Sequence, residues 1–238
     1  METISENGGA NMVVEMIQNK EVWDGFVDKS PYGLIFHKWD FLKIVEQYSG
    51  YKLFTCGIYR GDSLIGVFPL FYKKILLLKT IFSPPPQSGI PYLGFVMNSE
   101  YDELKQDKKE TYLAQVINEV NQSLSPNYTS VSTVSNFMDV RPFKWENYDV
   151  TPDYNYVMNL DKDLKIIWND FKKNLRKQLS GPDVLKLRLI SSNNIEQFYN
   201  FMGQRYKEQG LTYPIYCVEY LEALFEAYPM DGECKDFK

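Results

Sequence analysis

From Tyr51 to Met97 the chain alternates runs that build strands with residues that end them, and this stretch restricts the fold more than any other. "YKLFTCGIYR" and "SLIGVFPLFYKK" are rich in β-branched and aromatic residues and meet at Gly61-Asp62, a hairpin signal. "ILLLKTIF" and "PYLGFVM" read as two further strands on either side of Ser83-Pro84-Pro85-Pro86. Each proline ring fixes φ and removes a donor, so the strand before it ends in a stiff, extended segment. Gly89 and Gly94 permit close backbone approach, while Ile90, Tyr92 and Phe95 supply apolar contact.

Helical periods flank this meander. "EVWDGFVDKS" is expected to be a short helix ending at Ser30-Pro31, because proline disfavours helix for the residue before it. Trp39, Leu42, Val45 and Tyr48 recur at helical spacing, giving a second helix that runs to Ser49-Gly50. From Ser99 a long helix places Leu104, Leu113, Val116, Ile117, Val120 and Leu124 on one face. "YTSVSTVS", "RPFKWENYDV" and "YNYVMNL" read as further strands. The order predicts an α+β fold, helices laid on a mixed, largely antiparallel sheet.

At Asp161 the pattern changes. Leu164, Ile167, Trp168, Phe171, Leu175 and Leu179 form the stripe of one amphipathic helix, with Asp161 as its N-cap. A strand "VLKLRLI" and helices through "NIEQFYNFMGQRYKEQG" and "VEYLEALFEAY" follow. We therefore divide the chain into a first domain, 1–150, and a second unit, 151–238, whose single strand makes it a poor independent domain.

A net charge of -5 gives no global attraction to nucleic acid or an anionic surface, so an anion site has to be a local cluster of Lys and Arg. Lys172, Lys173, Arg176 and Lys177 form such a cluster, two basic columns with no carboxylate between Phe171 and Leu179. That face either holds phosphates or is solvated; Lys186 and Arg188 on the next strand add to it. Three widely spaced cysteines without a CxxC pair indicate neither a disulfide framework nor a zinc site, which fits a reducing, cytoplasmic setting. The start lacks the basic-then-apolar order of a secretory signal. The longest apolar stretch, "VFPLFYKKILLLKTIF", is broken by Lys73 and Lys74 and is shorter than the ~20 residues of a membrane span. Outside secretion, the sequons at Asn121 and Asn127 and the Arg60-Gly61-Asp62 tripeptide read as chance and as turn chemistry. No GxSxG, HExxH or Walker loop occurs, and the single histidine, His37, reads as structural.

Taken together, these landmarks resemble the Fem (FemABX-like) family of non-ribosomal peptidyltransferases, which add amino acids to peptidoglycan precursors, and the BioF2-like GNAT acyltransferases. "SPYGLIFHKWDFLKI" resembles the family's opening helix, including a lysine, Lys43, that in relatives helps hold the phosphate of a nucleotide-linked substrate. "GIPYLGFVM" with the helix after it resembles the first GNAT unit. "FKKNLRKQLSGPDVLKLRLI" and "KEQGLTYPIYCVEYLEALFEAY" resemble the start of the second. Ser135-Asn136 stand where relatives commonly carry an acidic residue, and Tyr213-Pro214 where a basic one often follows a Gly-Leu-Thr-like turn. No Arg/Gln-x-x-Gly-x-Gly/Ala acyl-CoA loop occurs, and the second unit stops where its sheet would begin, as in a truncated member.

The resemblance implies a GNAT-like first domain, an incomplete second one, and transfer of an acyl or aminoacyl group to an amine of a cell-envelope precursor, an activity expected to be absent or partial in this truncated form. It implies that Lys43, Lys172, Lys173, Arg176 and Lys177 hold phosphates, that Tyr92 and Tyr213 line the groove, and that the proline stretch walls it. The plainer alternative makes that stretch a surface corner and Tyr92 a core aromatic. The chain itself is expected to carry no cofactor, the full-length family using an acyl-CoA or a tRNA-borne aminoacyl donor. A competing reading is a non-catalytic assembly module, in which the incomplete unit docks on a partner or a second copy to bury Leu221, Leu224 and Phe225.

Overall fold

The computed structural model describes residues 12–137, 139–181 and 194–229. Its strands are β1 (Met12–Met16), β2 (Lys52–Arg60), β3 (Ser63–Ile75), β4 (Leu78–Ser83), β5 (Val96–Met97) and β6 (Tyr128–Val131). They form one sheet in the order β1-β2-β3-β4-β6, with β5 paired to the early part of β3. The β4–β6 ladder is parallel and the other ladders are antiparallel. The helices are α1 (Lys20–Lys29), α2 (Trp39–Ser49), α3 (Glu100–Glu103), α4 (Gln106–Leu124), α5 (Arg141–Trp145), α6 (Leu164–Asp170), α7 (Lys173–Leu179), α8 (Ile195–Glu208) and α9 (Val218–Ala227). This is the expected α+β architecture, an open, mostly antiparallel sheet flanked by helices. No helix among the described residues is long and apolar enough to cross a membrane.

Local chemistry accounts for the element ends. The Asn19 side chain accepts from Val22 N–H at 2.9 Å and starts α1, while Gly50, at φ +67°, closes α2 in the left-handed region. Gly61, at φ +58°, makes the β2–β3 turn. Side chains alternate faces along a strand, yet β3 is buried at every position from Ile65 to Phe71, so both faces of the sheet are covered. α4 and α5 cover one face, where Ile117, Val120 and Phe143 meet Phe68, Leu70 and Ile81 around a void of about 10 Å³. α1 and α2 pack on β3 and β2.

The chain separates into two compact units, with one break at Thr151–Pro152, beside the expected boundary, and a return to the first unit at Ile195. Ile195–Pro229, hence α8 and α9, packs with Met1–Thr151, and the other unit comprises Pro152–Asn194 with the C-terminal residues. Several local expectations also change. "RPFKW" is the helix α5, not a strand, since Pro142 stands in the first turn, where its missing N–H costs nothing. "YNYVMNL" has no regular structure and is exposed. The long helix from Ser99 breaks at Leu104–Lys105 into α3 and α4. The helix from Asp161 is two short ones separated at Phe171–Lys172, and Asp163 is the residue that caps the first, accepting from Lys165 N–H at 2.7 Å. "VLKLRLI", with Lys186 and Arg188, lies outside the described residues.

Candidate functional site

Lys43 sits on the exposed side of α2, and the helix beneath it is held by buried polar ties. Trp23, with no exposed surface, donates from Nε1 to the carbonyl of His37 at 2.7 Å. His37, equally buried, accepts the Leu34 N–H at Nδ1 (3.1 Å) and reaches the Leu93 carbonyl from Nε2 (3.3 Å). Burial holds its pKa down to about 4, so the ring is neutral with its proton on Nε2. His37 is therefore structural, as expected: it ties the turn before α2 to the strand that follows the proline stretch. Above this base, Lys43 Nζ lies 5.5 Å from the Trp39 ring centre and 2.8 Å from Glu46, and its side chain is 46% exposed. Glu46 is fixed in turn, its other oxygen accepting Leu53 N–H at 2.7 Å. Tyr92, half-buried, stands edge-on to Phe36 at 6.4 Å, in the turn that precedes Trp39. The structure thus brings Tyr92 to the start of the helix that carries Lys43.

The proline stretch is an excursion out of a strand. Ser132 donates its N–H to the Ser83 carbonyl (2.8 Å) and accepts the Leu93 N–H (2.7 Å), while Val131 pairs with Ser83 and Thr133 with Leu93. A regular parallel ladder would have one residue between those partners, and here Pro84–Tyr92 takes its place. The Ser83 hydroxyl pins the join, donating to the Pro69 carbonyl at 2.7 Å and accepting Gly94 N–H at 3.1 Å. Prolines offer carbonyls without N–H groups, and side chains satisfy these: Ser88 Oγ donates to Pro85 O and Tyr216 Oη to Pro86 O, each at 2.8 Å. Tyr220 Oη donates to Ser88 O, also at 2.8 Å. The two glycines face protein. A Cβ on Gly89 would come within 2.5 Å of Ile215 Cδ1, and one on Gly94 within 3.1 Å of Thr133 Cα. Tyr216 and Tyr220 are the residues that the sequence left unmarked here, because the reach of a hydroxyl across 130 residues has no local signature.

Tyr213 packs between Tyr199 (5.3 Å) and Tyr206 (5.2 Å) of α8, and burial pushes its hydroxyl pKa up. In the other unit Lys172 is the N-cap of α7, Lys173 its first residue, and Arg176 and Lys177 lie in its last turn. The basic columns of an unbroken helix are not formed, since Lys172 precedes the helix. Among the described residues none of the four makes an ion pair.

With this geometry in place, the chain can be set beside solved structures. Its fold is similar to that of FemX. The match to the FemX crystal structure has a TM-score of 0.55 and 16% identity over 93% of this chain, and spans 56% of that one. At this identity the likeness to FemX is one of fold. A GNAT family acetyltransferase of Staphylococcus aureus subsp. aureus USA300_TCH1516 aligns with a TM-score of 0.36 and 13% identity, over 63% of this chain and 99% of that one. No protein-family model matches the sequence, nor does any curated protein.

Four rings pack together in the core of the first unit. Phe95 stacks on Phe68 at 3.9 Å and meets Phe137 and Phe143 at 5.9 and 5.8 Å. Phe68 is 3% exposed, Phe95 0%, and the other two 5% each.

Proposed function

We propose that this protein is a Fem-like, GNAT-type acyl- or aminoacyltransferase acting on an amine of a cell-envelope precursor. The observation that carries the reading is a FemX-like fold over 93% of the chain, within which Lys43 is a half-exposed cation on a rigid, aromatic-backed helix face. In this reading Lys43 takes a phosphate of a nucleotide- or phosphate-linked precursor and Tyr92 borders the same surface. Lys172, Lys173, Arg176 and Lys177 take phosphates of the acceptor or the donor, and Tyr213 lines the groove.

The chemistry asked of such a site is modest. The acceptor amine attacks the activated carbonyl, a tetrahedral oxyanion forms, and collapse expels the alcohol of a tRNA-borne ester or the thiol of an acyl-CoA while the amine's proton is lost. No covalent enzyme intermediate is needed, so positioning and oxyanion stabilisation carry the rate. Asn136, standing where relatives carry an acid, donates to the Pro31 carbonyl at 3.1 Å and supplies no base.

Titration of a UDP-linked muramyl-peptide precursor into wild type, Lys43→Ala and Lys172→Ala/Arg176→Ala tests the assignment by calorimetry. Loss of one charge-assisted phosphate contact weakens binding by roughly ten-fold or more. Unchanged affinity in all three proteins removes these cations from the site. The assembly-module reading loses part of its motive, since Leu221 is 8% exposed and Leu224 packs on the core, leaving Phe225, at 46%, as the exposed member of that trio.

A further inference from the structure

We propose that the β3–β4 hairpin docks this protein on the surface of an anionic lipid bilayer. The turn between β3 and β4 is made of leucines. Ile75 is 54% exposed, Leu76 89%, Leu77 90% and Leu78 50%. Leu76 holds φ +56°, a conformation that favours glycine or asparagine. Four large apolar residues thus crown an exposed turn that local backbone preference would fill with small polar ones.

A basic collar stands immediately behind this tip. In the hairpin register Lys73 pairs with Thr80 and Lys74 stands directly opposite Lys79, whose Nζ reaches the Leu124 carbonyl at 3.4 Å, so two lysines share one cross-strand pair. Like charges in that relation destabilise a hairpin by themselves, and an anionic surface relieves them. Neither Lys73, Lys74 nor Lys79 makes an ion pair among the described residues. Lys73 lies 4.9 Å over the Tyr51 ring, and Tyr128, 55% exposed, begins the strand beside β4, which puts amphipathic rings just behind the collar. From Tyr51 to Ser99 the sequence holds a single acidic residue, Asp62, and it lies at the opposite end of β3. In a chain of net charge -5 this is a strongly localised cationic edge.

Aliphatic tip, lysine collar and tyrosines behind are the order in which a bilayer presents hydrocarbon, headgroup phosphate and interface. Four apolar residues cannot span a membrane, so the hairpin lies on it, combining buried apolar area with attraction to anionic lipid. A second copy is a poorer occupant, because tip-to-tip contact would bring two lysine collars together. The inference is independent of the transferase reading.

Co-sedimentation of the full chain with vesicles tests it. Wild type is expected to pellet with phosphatidylcholine–phosphatidylglycerol vesicles, to be released as salt is raised, and to bind phosphatidylcholine alone weakly. Leu76→Asn/Leu77→Ser and, separately, Lys74→Gln/Lys79→Gln each lower partitioning onto the anionic vesicles by roughly ten-fold or more. Lys74, Leu76 and Leu77 are exposed, Lys79 Nζ gives up a single 3.4 Å bond to the Leu124 carbonyl, and unchanged circular dichroism melts verify that the variants fold. Equal wild-type binding to both vesicle types, no binding to either, or undiminished binding by the leucine variant overturns the proposal. Self-association in sedimentation equilibrium that the leucine variant abolishes, without vesicle binding, also overturns it and assigns the tip to a second copy.

Discussion

Helices α4 and α6–α7 carry the same kind of apolar stripe to different ends. On α4, Leu113, Val116, Ile117 and Val120 are at most 7% exposed, closed against the sheet. In the other unit Leu164 is 73% exposed, Ile166 50%, Trp168 39% and Leu175 40%, and Ile167 alone on α6 and α7 is buried. Helical period reveals which side of a helix seeks cover, whereas a sheet such as β2–β3–β4 has to be present for the cover to exist. The first unit has that sheet, and the polar ties of Trp23, His37 and Ser83 are set inside it.

The sharpest test of this contrast pairs two tryptophans. Trp23→Ala empties a fully buried site and strands the His37 carbonyl, so it should cost about 4 kcal/mol. Trp168→Ala should cost about 1 kcal/mol or less, since that ring is already partly in water. Urea unfolding followed by circular dichroism measures both, and equal losses would erase the distinction between the units.

A second test uses the single histidine, which belongs to the first unit. The folded pKa of His37 lies near 4 and the unfolded one near 6.5. The unfolded chain therefore binds the extra proton between those values. Stability is full above about pH 6.5 and falls as pH drops to about 4, by roughly 3 kcal/mol. His37→Gln, which retains one acceptor and one donor, should remove that slope. A wild-type slope that survives the substitution would place the titrating group elsewhere.

The mildest change is Tyr220→Phe, which leaves the Ser88 carbonyl without its hydroxyl partner. A loss of about 1 kcal/mol is expected from one buried hydrogen bond, with hydrogen exchange rising first around residues 86–90. No change in either would mean that the Tyr220 hydroxyl does not help to hold α9 on the proline stretch.

Much of the first unit was legible because backbone chemistry marks it. Gly61-Asp62 announces a hairpin, Ser49-Gly50 closes α2, and the Leu113–Val120 period shows the face of α4. The errors fall where no special residue stands. Leu76-Leu77 turns the chain without glycine or asparagine, so "ILLLKTIF" read as one strand although β4 begins at Leu78. Phe171-Lys172 interrupts a helix without glycine or proline. "RPFKW" looked β-rich because aromatic residues outweighed the one cue, a proline admissible in a first helical turn. Lys43 gained a role only through resemblance to a family, since a lysine on a helix face is otherwise unremarked. The hydroxyl ties of Tyr216 and Tyr220 depend on three-dimensional reach alone.

Ser132 holds both ends of the proline excursion on its own two backbone groups, so strand pairing on either side is blind to how many residues are threaded between Ser83 and Leu93. The segment is a cassette: natural variation in its length, or a foreign peptide grafted into it, would change what this edge of the protein displays and leave every other strand in register.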